Sequence, residues 1–177
     1  SLRAPFVQEK HLSIFEDVVS TTGTLYFAPP QNVRIQMDPP FESALIADGH
    51  TVAQFERIDD AWQRIRSGAQ PIILEVTGQI AAWLQGDFAT QSDIYTISAE
   101  QDESTRLVLT PSDPGFAERI SRIEITVAPD FASVTRIEIR EPGGDFTALI
   151  FHDQQRDHEL PQGIFRTDSP QPVPDEA

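Results

Sequence analysis

Two histidines and three acids towards the C-terminus form the densest group of side chains with chemical potential. His152 and His158 bracket Asp153 and Asp157, and Glu159 follows directly. Imidazole and carboxylate are zinc ligands, yet a separation of six positions between the histidines matches none of the usual ligand spacings. The segment reads instead as a solvated polar loop after a strand. His11 falls in a strand and His50 in a turn, far apart in sequence. Glu16-Asp17 and Asp59-Asp60 are neighbouring carboxylates, which divide acid and base roles only where burial separates their pKa values. Both pairs sit at element ends, and among 28 acidic residues such doublets arise by chance. There is no cysteine, which removes thiolate nucleophiles, disulfides and Cys-ligated zinc. Neither a Gly-x-Ser-x-Gly elbow nor a Gly-rich phosphate loop is present. The expected catalytic, metal and cofactor sets are therefore empty, and the chain is not expected to be an enzyme.

The elements that would have to position any site are mostly strands, because the apolar residues follow a period of two. Predicted strands cover residues 6–15, 23–28, 33–37, 43–47 and 51–55, then 94–99, 105–110, 120–128, 133–140 and 146–152. Leu25 and Phe27 share one face, as do Val33, Ile35 and Met37. Pro29-Pro30 ends one strand, because proline cannot donate to a sheet ladder. Asp48-Gly49 is the strongest short hairpin signal. The period changes in the middle. Ile58, Ala61, Trp62 and Ile65 have the spacing of an amphipathic helix, with Asp59 as N-cap and Gly68 past the last turn. Pro71 opens a second predicted helix towards Leu84, with Ile73, Val76, Ile80, Trp83 and Leu84 near one face.

Many consecutive hairpins with two inserted helices predict an α+β, mainly β fold. A sheet of about ten twisted strands curls or splits. The expectation is a curled antiparallel sheet forming an unclosed half-barrel, whose concave side receives the apolar face of the helices. At 177 residues the chain suits one domain over 1–167, with the helical lid at about 59–86 and a mobile, acidic, Pro-rich tail at 168–177. From pattern alone the central apolar set is either plain core or the lining of a ligand cavity.

Thirteen basic against 28 acidic residues give a net charge of −15. Such a polyanion is a poor nucleic-acid binder and is repelled by anionic lipid, so only transient membrane proximity is expected. The charge also favours a soluble monomer. No apolar run approaches the roughly 20 residues of a bilayer span. The sequence opens at Ser1 without a basic or apolar leader, as a mature or trimmed chain would.

The ordered series Gly23-Thr-Leu-Tyr-Phe-Ala-Pro-Pro30, Val33-Arg-Ile35, Pro40-Phe-Glu-Ser43 and Leu45-Ile-Ala-Asp-Gly49 resembles the LolA family of periplasmic outer-membrane lipoprotein carriers. Val108-Leu-Thr-Pro111 and Leu160-Pro-Gln-Gly163 are similar too, so the resemblance runs from about Phe6 to Thr167. Gly86-Asp87-Phe88 and the hairpin at 141–145 look closer to a divergent branch of that family.

The resemblance implies an unclosed barrel with a helical lid over an apolar cavity for acyl chains, and it favours the cavity over the plain core. It implies lipoprotein or other lipid cargo, an inner-membrane ABC exporter and an outer-membrane acceptor as partners, and a periplasmic location. The expected lining is Leu25, Phe27, Val33, Ile35, Met37, Ile73, Val76, Ile80, Trp83, Leu84, Ile125, Val127, Ile137 and Ile139. A glycolipid or other non-protein lipid is the alternative cargo, and a ligand-free protein-interaction module the alternative class. Two departures from the family stand out. Pro29 occupies the place where the family carries an arginine that fastens the lid, and alternation points Arg34 away from Ile35, so the latch role is not transferred to it. The family normally opens with an amphipathic helix, whereas only Ser1 to Pro5 precede the first predicted strand here, so that helix is expected to be either trimmed or lacking.

Overall fold

The computed structural model describes residues 1–14, 17–66, 78–80, 82–83, 94–101, 104–129 and 133–170. Twelve strands form one ladder in which β6 and β7 are the end strands. They are β1 (Leu2–His11), β2 (Val19–Ala28), β3 (Asn32–Met37), β4 (Ser43–Ala47), β5 (Val52–Ile58), β6 (Ala61–Ile65), β7 (Tyr95–Gln101), β8 (Thr105–Pro111), β9 (Arg122–Val127), β10 (Val134–Arg140), β11 (Phe146–Phe151) and β12 (Gln155–Arg156). The chain divides into two compact units, one of residues 1–5, 22–82 and 153–177, the other of residues 6–21 and 83–152. The expected mainly β, antiparallel architecture is what the strands form.

In the first unit, β2 to β6 are joined by successive hairpins. Two of the turns explain themselves. The Asp48 carboxylate accepts the backbone N–H groups of His50 at 2.9 Å and Thr51 at 2.7 Å, which closes the β4–β5 turn. Gly49 completes it at φ 85, in the left-handed region that favours glycine. The β5–β6 turn corrects an expectation. Residues 59–66 do not form the first half of a helical lid. Asp59 and Asp60 adopt φ 51 and 61, the two left-handed positions of a tight hairpin, and Ile58 pairs with Ala61 and Arg57 with Trp62. Aspartate tolerates that region better than most residues do. The pairing puts Trp62 against a cluster of Ala44, Ile46, Ala53 and Phe55. A four-residue apolar spacing therefore served a strand, because the neighbouring strand offered Trp62 a partner that an isolated helix would not.

Of the second predicted helix, residues 78–80 and 82–83 are helical, and 71–77, 81 and 84 lie outside the described residues. Residues 171–177 of the expected tail lie outside them too. The first predicted strand, 6–15, begins earlier, at Leu2, and ends at His11. The start of β1 pairs with β12 through Leu2 and Arg156.

The second unit contains β7 to β11 as an antiparallel meander, with residues Phe6 to His11 of β1 paired to β11. A single helical turn, α1 (Pro114–Ala117), links β8 and β9. Its N-cap is Asp113, whose carboxylate accepts the Phe116 N–H at 2.9 Å, with Pro114 at the helix start where it needs no donor.

Candidate functional site

The strand register decides which apolar residues share a face. In the first unit Leu25, Ile35 and Leu45 form one cross-strand row. Phe27, Val33, Ala47 and Val52 form the next. Met37 lies opposite Gly23 on one side and Ser43 on the other. Directly paired residues project to the same side of a sheet, so Leu25, Phe27, Val33, Ile35 and Met37 occupy one face. Leu25, Phe27 and Val33 are buried, whereas Ile35 and Met37 are half-buried. Helical Ile80 is also buried in this unit.

In the second unit the row Leu107, Ile125, Ile137 and Leu149 is followed by the row Leu109, Ile123, Ile139 and Thr147. Val127 pairs with Thr105 and Val134. Ile125, Val127, Ile137 and Ile139 therefore share a face, and Ile139 is the one left half-buried. Trp83 is buried, and its indole N–H has no acceptor among the described residues. Ile73, Val76 and Leu84 lie outside the described residues.

Several residues of these faces went unnamed in the sequence. Leu45, Leu107, Ile123 and Leu149 are register partners of expected lining residues, Leu109 extends the row through Ile123, and the period of two could have found them. Arg34 could not have been found that way. It is fully buried on the opposite face of the first unit. Its Nη1 donates to the Ile164 carbonyl at 3.0 Å, and its Nε and Nη2 donate to Gln36 Oε1 at 3.2 and 2.7 Å. Desolvation lowers its pKa, while the Tyr26 side chain acts in the opposite direction. The guanidinium stays protonated even so, since its ordinary pKa lies far above neutrality. Arg34 thus fastens the C-terminal segment to the sheet, and Phe165 of that segment packs on the Ile46 and Phe55 cluster. The Gly163 turn, at φ 80, delivers Ile164 to this position.

An open groove of about 700 Å³ lies beside that segment in the first unit, walled by Ala28, Asp48, Leu160, Ile164 and Phe165 among others. It is apart from the Leu25 and Ile35 face. The His152 to His158 segment supplies turn residues, with Asp153 and Asp157 at φ 46 and 53. Among the described residues no group of acids and histidines is placed to hold a metal ion. No helix among them is long and apolar enough to cross a membrane.

These features define a mainly β, antiparallel protein of consecutive hairpins with a buried apolar face in each unit. Residues 1–168 match the family of the outer membrane lipoprotein carrier protein LolA, and the chain belongs to that family. Its members are carrier and binding proteins rather than enzymes. Among solved structures, the chain is similar to a DUF1329 family protein from Desulfovibrio piger, at 12% identity over 94% of this chain and 90% of that one, with a TM-score of 0.50. It is also similar to a LolA superfamily protein from Nitrosomonas europaea, at 15% identity over 95% and 90%, TM-score 0.46. LprF from Mycobacterium bovis is similar at 14% identity over 90% and 88%, TM-score 0.40. A comparison with curated protein sequences gives no significant match.

Proposed function

We propose that this chain is a periplasmic carrier that binds the acyl chains of lipoproteins and ferries them from the inner to the outer membrane. Cargo would come from an inner-membrane ABC exporter and pass to an outer-membrane acceptor. The observation that carries the reading is the apolar face of the first unit, Leu25, Phe27, Val33, Ile35 and Met37, in a chain whose residues 1–168 match a carrier family. In this reading helical Ile80, buried in the same unit, covers that face. The physics suits the task. Each methylene exposed to water costs about 0.8 kcal/mol, so a lipid with several chains does not cross an aqueous compartment unaided. Half-buried Ile35 and Met37 are the positions where a chain replaces solvent at least cost, and the flexible thioether of Met37 adapts to chains of different shape.

Displacement of a fluorescent fatty acid from the purified, delipidated protein tests the reading. Saturable binding is expected, lost in Ile35→Asp and in Ile80→Asp while circular dichroism stays unchanged. Absence of saturable binding by the unaltered protein would falsify it. Mass spectrometry of material extracted from the native protein then distinguishes lipoprotein acyl chains from a glycolipid.

A further inference from the structure

Two hairpin tips of the first unit expose large apolar side chains. Phe41, between β3 and β4, is 68% exposed, and Ile58, at the end of β5, is 39% exposed. The tips are tied together. The Arg57 N–H donates to the Glu42 carbonyl at 3.0 Å, and the Arg57 guanidinium approaches the carboxylates of Glu42 at 3.4 Å and Asp60 at 3.7 Å. The β3–β4 tip is also pinned to β2, through the Asp38 N–H on the Thr22 carbonyl and the Thr22 hydroxyl on the Asp38 carboxylate, at 3.0 and 2.8 Å. Phe41 and Ile58 are therefore held out on a fixed frame.

The charge around them is one-sided. Asp38, Glu42, Glu56, Asp59 and Asp60 lie in or next to the two tips along the chain, and Arg57, the one Lys or Arg within residues 38–61, approaches two of those acids. Ile58 stands two residues beyond Glu56 and four beyond Gln54, the cross-strand partner of Leu45. It therefore continues the Leu25, Ile35 and Leu45 face to its rim. Along that face burial falls from Phe27, Val33 and Ala47 at one end to exposed Ile58 at the other.

We propose that the β3–β4 and β5–β6 tips are a docking lip for a protein partner that presents an apolar patch rimmed by Lys and Arg. An aromatic anchor with an aliphatic neighbour is the usual centre of such a contact. Acids around it steer a basic partner and reject an acidic one. A bilayer fits less well, because the lip's one cation, Arg57, lies against Glu42 and Asp60 and the neighbouring carboxylates repel anionic headgroups. Docking stands on these tips alone, while its use in cargo transfer rests on the carrier reading.

The test uses the whole chain and an amphipathic probe peptide of leucine and arginine, with a leucine and glutamate peptide as control, read by fluorescence anisotropy. Phe41→Ser and Ile58→Ser each weaken binding of the basic peptide by about tenfold. Asp59→Asn with Asp60→Asn weakens it and flattens its salt dependence, whereas Glu118→Gln with Glu141→Gln, the same charge change in the second unit, leaves it unaltered. Equal losses from the two acid pairs, or no loss from Phe41→Ser, overturn the proposal. It is also overturned if the protein floats with phosphatidylcholine vesicles and Phe41→Ser abolishes that instead. Both apolar substitutions are at exposed positions, and circular dichroism checks that the fold persists. Fatty-acid displacement on the same samples separates the two ideas: no binding by the unaltered protein ends the carrier reading and leaves the peptide result standing.

Discussion

The two units treat the second face of their strands in opposite ways. In the first, the face opposite Leu25 and Ile35 carries Arg34, Ile46, Ala53 and Phe55, all buried. The C-terminal segment seals it through Ile164 and Phe165. In the second, the face opposite Ile125 and Ile137 carries a lattice of charges. Glu124 Oε1 meets Arg122 at 2.8 Å and Arg140 at 3.2 Å, and its Oε2 meets Arg106 at 3.5 Å. Glu138 is bracketed by Arg136 at 2.8 Å and by Arg140. Arg140 also lies over the Phe146 ring, which stacks on His11 at 4.0 Å. Alternating strands thus accept either solution. An apolar second face needs a cover and a fixed polar group to hold it. A charged one keeps its arginines half in water above buried Glu124 and Glu138 and covers its own sheet with the arginine stems.

The largest way to break this contrast is at Arg34. Arg34→Met removes three donated hydrogen bonds and leaves the Ile164 carbonyl without that donor, at an expected cost of about 3 kcal/mol in urea unfolding. Proteolysis then cuts first within residues 160–168, because the segment loses its anchor. Unchanged cleavage there would mean that Phe165 packing alone holds the cover.

Glu124→Gln in the second unit is expected to cost less, about 2 kcal/mol, because three half-exposed arginines lose their shared counter-charge yet keep water. Its cost should shrink at high salt, whereas that of Arg34→Met should not. Equal salt sensitivity would erase the distinction between the two faces.

Asp60→Gly sharpens the account of the β5–β6 turn. Glycine adopts the left-handed conformation seen at φ 61 without strain, so stability should rise by about 0.5 kcal/mol. In a helix the same change would lower it by about 0.3 kcal/mol.

The smallest effect concerns acid. The Thr51 N–H, foremost among its partners, holds the Asp48 carboxyl below the ordinary aspartate value. Its stabilising contribution is fully present above that ordinary value and is lost as the pH falls through the lower, folded one. Asp48→Asn should remove this part of the acid slope, seen as a shallower loss of melting temperature on acidification.

Much of the β architecture was readable in residue order. The β4–β5 hairpin was marked by Asp48-Gly49, and the faces of β2 and β3 by strict alternation of Leu25, Phe27, Val33 and Ile35 with polar or aromatic neighbours. The helix expected from Asp59 was not, because Ile58, Ala61, Trp62 and Ile65 satisfy a helical period and a hairpin pairing equally well over so short a stretch. The role of Arg34 was also hidden. A charged residue alternating with apolar ones reads as solvated unless something distant covers it.

Sequence by itself determined most of the strands, the alternation of their two faces and the net acidic charge, since each follows from local composition, turn residues or a period of two. Tertiary structure alone decided that Asp59-Asp60 reverses the chain, that Ile164 reaches across 130 positions to Arg34, and that one second face is sealed while the other is ionic. Those outcomes depend on which surface arrives opposite a residue, and a one-dimensional pattern carries no record of what will meet it in space.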